Sequence, residues 1–423
     1  MGNKADNGKT ECNKIKHGAA KDEKKVPKLR FPEFTGEWEE RKLGEVGTTY
    51  SGLSGKTKEN FGHGNGQFVT YMNVFTNPVG LPEMTEAIEI DDSQNEVRFG
   101  DVFFTTSSET PEEVGMSSVW LENVNNTYLN SFCFGYRPTV EFNPYYLAYM
   151  LRSSSLRDKI TFLAQGISRY NISKNKMMDI EIPIPNIKEQ KEIGSFFHTL
   201  DRFITRHQQK LEHLEDLKKG MLQKMFPKEG ETVPEVRFPG FTGKWERRKL
   251  GDCFSERQER SADGELISVT INDGVKKFTE LDRHDNSSED KSKYKCVEIG
   301  DIAYNTMRMW QGASGISPYK GILSPAYTVL IPEDGIDSLF FSYVFKLENM
   351  LYKFQVNSQG LTSDTWNLKY NAFSGIETMV PSLEEQEKIA AYFRNFDNLI
   401  TLHKHRLEHL KELKKGLLQQ MFV

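Results

Sequence analysis

A chain of 423 residues is longer than one hydrophobic core usually serves, so two or three separately packed bodies are expected. No run of about 18 apolar residues could span a bilayer, and the first 25 residues offer no apolar stretch for a signal peptide, so a soluble, cytoplasmic protein is expected. A net charge of −5 argues against binding nucleic acid through bulk positive charge, and four scattered cysteines, Cys12, Cys133, Cys253 and Cys296, argue against a zinc knuckle or a disulfide framework.

In chain order, residues 1–26 mix lysines with Asp6, Glu11, Asp22 and Glu23 and lack apolar partners, which predicts a disordered polar tail. PKLRFPEFTGEWEERKLGEV (27–46) then matches PEVRFPGFTGKWERRKLGDC (234–253) without a gap. VRFGDVFF (97–104) answers VEIGDIAY (297–304), and the 42 residues from Pro185 match those from Pro381. The ends of each copy are alike and the middles are not, so the chain carries two copies of one structural unit joined over 227–233. Short apolar runs such as QFVTYMNVF, EVRFGDVFF and DIEIPIP, bounded by Gly, Pro and Asn, predict strand-rich domains over 27–185 and 234–381.

Each domain leads into a long helix, over 186–226 and 382–423. Asn186 with Glu189, and Ser382 with Glu385, offer capping-box starts after a proline. Ile193, Leu200, Ile204, His207, Leu211, Leu214, Leu217, Met221 and Met225 recur at three- and four-residue steps. Ile389, Phe396, Ile400, His403, Leu407, Leu410, Leu413, Leu417 and Met421 repeat the pattern. About 40 residues make a rod of roughly 60 Å, and two such seams are best buried against each other as an antiparallel coiled coil within the chain, with pairing between chains as the alternative. His207 and His403 on the seam, with His213 and His409 beyond, suggest either a metal site or polar positions that set register; the second is the expectation. The fold class is therefore α+β: two strand-rich domains in a tandem pseudo-twofold arrangement, separated by two long antiparallel helices.

Catalytic signatures fail. YSGLSGKT (50–57) lacks the first glycine of a phosphate-binding loop and no helix is predicted after it. FGHGNG (61–66) reads as a turn, and NPYY (143–146) as the cap and first turn of a helix rather than a methyltransferase signature. The chain is expected to catalyse nothing by itself and to bind no cofactor or metal.

The phrase F-x-G-x-W-x-x-[KR]-K-L-G at 34–44 and 241–251, the pairs Glu189–Gln190 and Glu385–Gln386, and the duplicated L-K-K-G-x-L-Q-x-M-F ends resemble the specificity subunit of type I restriction-modification enzymes, over residues 27–423. The resemblance implies two target-recognition domains that each read half of a split sequence in double-stranded DNA, held apart by the helices. It also implies two methyltransferase subunits that use S-adenosylmethionine, and restriction subunits that use ATP and Mg. On this reading Glu189, Gln190, Leu200, Ile204, Leu211, Leu214, Glu385, Gln386, Phe396, Ile400, Leu407 and Leu410 form the spacer and partner-docking frame. Major-groove chemistry favours Arg, Lys, Asn, Gln, Ser and Thr, so the expected DNA contacts are Lys56, Lys58, Thr106, Ser107, Arg169 and Asn171 in the first domain and Arg308, Gln311, Lys320 and Ser363 in the second. A coiled-coil scaffold that reads no DNA, and a stand-alone nucleotide-dependent nuclease or methyltransferase, are the rival readings.

Overall fold

The computed structural model describes residues 26–282, 284 and 287–423. The polar tail, apart from Val26, and Cys12 lie outside the described residues. The chain forms two compact units: one runs to Thr205 and adds Glu408–Val423, the other is Arg206–Leu407. Each long helix is thus divided between units, so the helices are part of both cores rather than a spacer segment standing apart from them.

Unit 1 opens with β1 (Glu39–Lys42), α1 (Leu43–Val46) and β2 (Gly47–Ser51), followed by β3 (Phe61–Val69), α2 (Tyr71–Thr76) and β4 (Thr85–Ile88). Then come β5 (Val102–Thr105), β6 (Ser107–Ser108), β7 (Ser117–Val119), β8 (Thr127–Leu129) and β9 (Cys133–Pro138). The domain ends in α3 (Pro144–Met150), α4 (Ser154–Phe162), β10 (Tyr170–Asn171), α5 (Lys174–Met178) and β11 (Glu181–Ile184), which leads into α6 (Ile187–Lys224). The central sheet has the order β2-β9-β5-β7, and β3 lies between β4 and β8 in a second sheet. The VFFT run of β5 is wholly buried, which is why it reads as an unbroken apolar stretch rather than an alternating one. FGHGNG, expected as a turn, lies inside β3. Its register against β4 slips so that Phe61 and Gly66 both oppose Ile88, with Gly62 and Gly64 at positive φ in the bulge. Asn143 caps α3 by accepting from Tyr146 N at 3.0 Å, with Pro144 in the first turn.

Unit 2 repeats the plan. β12 (Glu246–Lys249), β13 (Phe254–Glu256), β14 (Ile267–Thr270) and β15 (Gly274–Lys277) precede β16 (Lys295–Val297), β17 (Ile302–Asn305) and β18 (Ser314–Ile316). β19 (Gly321–Leu323) and β20 (Tyr327–Pro332) lead to α7 (Ser338–Val344), α8 (Glu348–Val356), α9 (Tyr370–Ser374), β21 (Glu377–Val380) and α10 (Leu383–Gln420). Its four-stranded sheet has the matching order β13-β20-β17-β18.

The helix ends complete the cores. In unit 1, Phe422 packs on Tyr146 and stacks on Phe197, with ring centroids 5.7 Å away in each case. In unit 2, Phe226 packs on Phe340 at 5.5 Å and on Trp245 and Phe393 at 6.0 Å. The backbone matches as well: Leu29 N donates to Gln420 O at 2.9 Å in unit 1, and Val236 N donates to Lys224 O at 2.9 Å in unit 2. The repeated M-F phrase is therefore a plug that each helix supplies to the domain preceding the other helix.

Candidate nucleic-acid interface and its frame

The frame starts at the two repeated Glu-Gln pairs. Glu189 has no exposed side-chain surface. It receives Arg30 through two bonds, Nε to Oε1 at 2.6 Å and Nη2 to Oε2 at 2.8 Å, and Trp38 Nε1 donates to Oε1 at 3.2 Å. Arg237 grips Glu385 in the same way at 2.6 and 2.7 Å. The neighbouring glutamine holds the next element: Gln190 Oε1 accepts Asn143 N at 3.0 Å, and Gln386 Oε1 accepts Asp337 N at 2.9 Å, so each locks the start of α3 or α7 onto the long helix. These four side chains belong to the expected spacer and partner-docking frame, and their burial shows that they close the domain itself. Only half of the first expected capping box forms: Asn186 Oδ1 accepts Glu189 N at 3.0 Å, while the Glu189 carboxylate turns to Arg30.

The repeated Gly-Asp phrase has a similar role. Asp101 takes Arg137 through two bonds at 2.8 and 2.6 Å, and Asp301 takes Arg257 at 2.7 and 2.9 Å. Arg137 comes from β9, beside β5, whereas Arg257 follows β13, one strand further from β17, so equivalent turns are held by cations from different places in the two sheets.

Along the helices the seam differs from its expected course. Leu200, Leu211, Leu214, Phe396, Ile400 and Leu407 are buried, and Ile204 and Leu410 are half-buried, but Leu217 and Leu413 face outward. Lys218 and Lys414 take the inner positions one residue later, a step that fits the three-and-four spacing equally well. In unit 1, Lys414 passes over the Tyr149 ring and reaches Asp201 Oδ1 at 2.5 Å, while Tyr149 OH donates to Asp201 Oδ2 at 2.8 Å. In unit 2, Lys218 lies over Tyr343 and bonds Asp397, which also accepts from Tyr343 OH at 2.7 Å. The apolar stem of each lysine covers the ring while its ammonium reaches the carboxylate. Lys404 pairs with Glu215 at 2.8 Å, and with Lys218–Asp397 this shows that the helices run antiparallel in unit 2.

His207 and His403 meet on the same seam, Nδ1 to Nδ1 at 3.0 Å, whereas His213 and His409 are exposed. One ring must donate and the other accept. Among the described residues no group of three or more His, Cys, Asp or Glu side chains is placed to hold a metal. Burial, then His403, Arg406 and Arg206, hold His207 below its ordinary pKa. A group depressed in the folded state contributes its full stability above its unfolded pKa of about 6.5, and loses it as pH falls through the folded value. The thermal midpoint should therefore fall between pH 7.5 and pH 5.5, and His207→Asn should flatten that part of the profile in a calorimetric series.

The expected base-reading residues fall into two groups. Some belong to the frame. Thr106 Oγ1 donates to Phe132 O at 2.8 Å and its carbonyl accepts Ile172 N at 3.0 Å; Thr306 repeats both bonds, to Ala326 O at 2.9 Å and from Leu368 N at 2.8 Å. Ser107 is buried in β6, paired opposite Asn171 of β10. Lys56 Nζ lies 2.8 Å from Asp91 Oδ2 and holds that carboxyl well below the usual range. Thr106 and Lys56 thus have their side-chain polar groups engaged inside the domain, and Ser107 is buried there.

The others remain at the surface. Lys58 is exposed on the turn Lys58–Asn60, and Arg169 and Asn171 are exposed on the loop that pairs with β6. Arg308 and Gln311 flank Trp310 on one turn, which closes at Gly312 with φ 84°. Lys346 fastens that turn by donating to Gly312 O and, at 3.0 Å, to Ile271 O; burial pushes its pKa down to about 8. The Trp310 ring meets Trp366 edge-on at 5.1 Å, so the loop carrying the exposed Ser363 is joined to the Arg308 turn. Lys320 lies apart, before β19, 2.9 Å from Glu298. Arg308 also lines a cleft of about 700 Å³ with His284, Ser288 and Lys293. Those three lie in a uniformly polar run, DRHDNSSEDKSKY (282–294), that has no sequence counterpart in the other copy, so nothing in the sequence distinguishes them as functional.

Two recognition domains with alike frames and unlike loops, each sealed by pieces of both long helices, define a tandem reader. The chain belongs to the type I restriction-modification DNA specificity family, whose domain matches residues 35–216 and again 242–412. It is a specificity subunit with two recognition domains; the scaffold and stand-alone enzyme readings are not favoured. It is 22% identical over 423 residues to a putative type I restriction enzyme MjaX specificity subunit of Methanocaldococcus jannaschii, covering 95% of this chain and 96% of that one. It is 29% identical over 159 residues, 38% of this chain and 32% of the relative, to the type I restriction enzyme StySPI specificity subunit of Salmonella potsdam. The fold is shared with the type I restriction-modification S subunit of M. genitalium, at TM-score 0.59 and 16% identity, covering 94% and 99% of the two chains. No described helix is long and apolar enough to cross a membrane.

Proposed function

We propose that each unit reads one half of a bipartite sequence in double-stranded DNA and that the paired helices set the number of base pairs between the halves. The observation that carries this is the contrast within the duplication: Glu189–Arg30 and Glu385–Arg237, and the Lys414–Asp201 and Lys218–Asp397 pins, recur bond for bond, while the Arg308 turn and the polar run 282–294 differ in sequence from the stretches at matching places in the first copy. A constant frame suits a constant geometry, and variable loops suit different bases. The docked partners would be two methyltransferase subunits using S-adenosylmethionine and restriction subunits using ATP and Mg, in the cytoplasm, with no cofactor on this chain and no catalysis by it. Methyltransferases that neutralise phosphates would free this acidic subunit from supplying bulk charge.

Asp201 and Lys218 are 17 positions apart in α6, and Asp397 and Lys414 are 17 apart in α10. Lengthening one helix alone would therefore break a pin. Inserting four residues into both helices, after Ile204 and after Ile400, should lengthen the spacer between half-sites in a methylation map while leaving the bases unchanged; an unchanged spacer would refute the ruler. Arg308→Ala should weaken recognition in one half-site only, by about 1 to 3 kcal/mol if it contacts guanine, measured by competition with single-base variants of each half.

A further inference from the structure

Two loops at matching places in the two units share an unusual tip. In unit 1 the loop QGISRYN is closed by a backbone pair, Gln165 N to Asn171 O at 2.9 Å and Asn171 N to Gln165 O at 2.8 Å; in unit 2 Gln359 and Asn367 close QGLTSDTWN at 3.0 and 2.8 Å. The next residue in each is a glycine at φ 146° or 151°, where an added Cβ would meet a carbonyl oxygen at 2.1 Å (Arg169) or 2.6 Å (Thr365). Only glycine adopts that backbone at low cost. Each glycine is followed by an aliphatic side chain held out in solvent: Ile167 is 97% exposed and Leu361 is 101% exposed.

A lone exposed leucine is ordinary. The same strained glycine holding out an apolar residue on both loops, when the loops differ in length and in the rest of their sequence, is not. We propose that Ile167 and Leu361 are groove-inserting tips, each placing one aliphatic side chain against base edges in the half-site read by its unit. This rests on the bipartite DNA reading above and adds to it an apolar contact.

Two observations favour DNA over a protein surface. First, each loop is rooted on the turn that begins the surface-facing segment: Ile172 N bonds Thr106 O, Leu368 N bonds Thr306 O, and Trp366 packs on Trp310 beside Arg308. Second, the residues that follow each tip, Ser168 and Arg169 or Thr362 and Ser363, are exposed and polar. A single apolar point with polar flanks suits a groove walled by phosphates and floored by base edges, where aliphatic side chains contact thymine methyls or wedge between steps. A protein-docking site would call for contiguous apolar area.

The test uses the full chain reconstituted with its methyltransferase subunits, and a duplex carrying the target mapped from host methylation. Ile167→Ser and Leu361→Ser change fully exposed side chains and should leave the thermal midpoint and assembly unaltered. Each should lower affinity for the cognate duplex about tenfold or more and relax base preference in one half-site, opposite halves for the two variants. The slope of log K against log salt should stay unchanged, because an apolar contact releases no counterion, and Ile167→Leu should restore binding. Wild-type affinity and selectivity in both serine variants would overturn the proposal. So would failure of the serine variants to assemble with the methyltransferase, which would make the tips protein contacts. If the wild-type complex protects no split sequence, the DNA reading itself falls and the tips fall with it.

Discussion

Arg30→Ala should lower the stability of unit 1 by about 3 to 5 kcal/mol, the usual cost of removing one member of a buried ion pair. The Glu189 carboxylate would be left without its cation where it has no exposed surface, and Trp38 Nε1 would be its remaining side-chain donor. Calorimetry of the full chain should show an earlier transition with loss of order in the 27–46 segment, while the unit 2 transition stays in place. Arg237→Ala should do the reverse. Changing both members together, Arg30→Met with Glu189→Leu, should cost less than Arg30→Ala, because no unpaired charge remains. A neutral Arg30→Ala would mean that the clamp does not hold the opening segment to α6.

The second large effect concerns assembly. A fragment of residues 26–233 contains unit 1's domain and the whole of α6 but lacks Lys414 and Phe422, which pin and plug that domain. It does carry Lys218 and Phe226, from a segment (KKGMLQKMF, 218–226) that nearly repeats KKGLLQQMF (414–422). Tyr149 and Asp201 should receive Lys218 of a second copy as they receive Lys414, since Tyr343 and Asp397 already do so. The fragment should therefore run as a dimer in light scattering, and Lys218→Ala with Phe226→Ala should return it to a poorly folded monomer. A stable monomeric fragment at micromolar concentration would contradict the exchange of helix ends.

Much of this architecture was legible because duplication doubles every signal. The strand-rich domains, the long helices and their pairing followed from apolar spacing read twice, and the resemblance over 27–423 pointed to the family that the domain matches confirm. What the sequence hid were positions where two residues compete for one geometric role. Leu217 and Lys218 both satisfy helical spacing, and only the presence of Tyr343 and Asp397 opposite makes the lysine the inner one. Glu189 looks like a capping residue or a surface charge until Arg30 is seen 159 positions away in sequence. Thr106 and Lys56 have the chemistry of base readers, yet their partners, the Phe132 carbonyl and Asp91, are contacts that composition does not reveal. FGHGNG carries every mark of a turn, and β4 nevertheless draws it into a bulged strand.

The bond from Leu29 N to Gln420 O has a topological consequence. It sits where its twin, Val236 N to Lys224 O, is bridged by continuous chain. Each unit thus ties the segment that opens its domain to the end of a long helix by the same backbone bond, once through continuous chain and once without it. A circularly permuted gene, opened in the 227–233 linker and spliced from 423 back to 26, would present the same bonds in a new reading order, so evolution could shuffle the two readers or renew one of them without redesigning the frame.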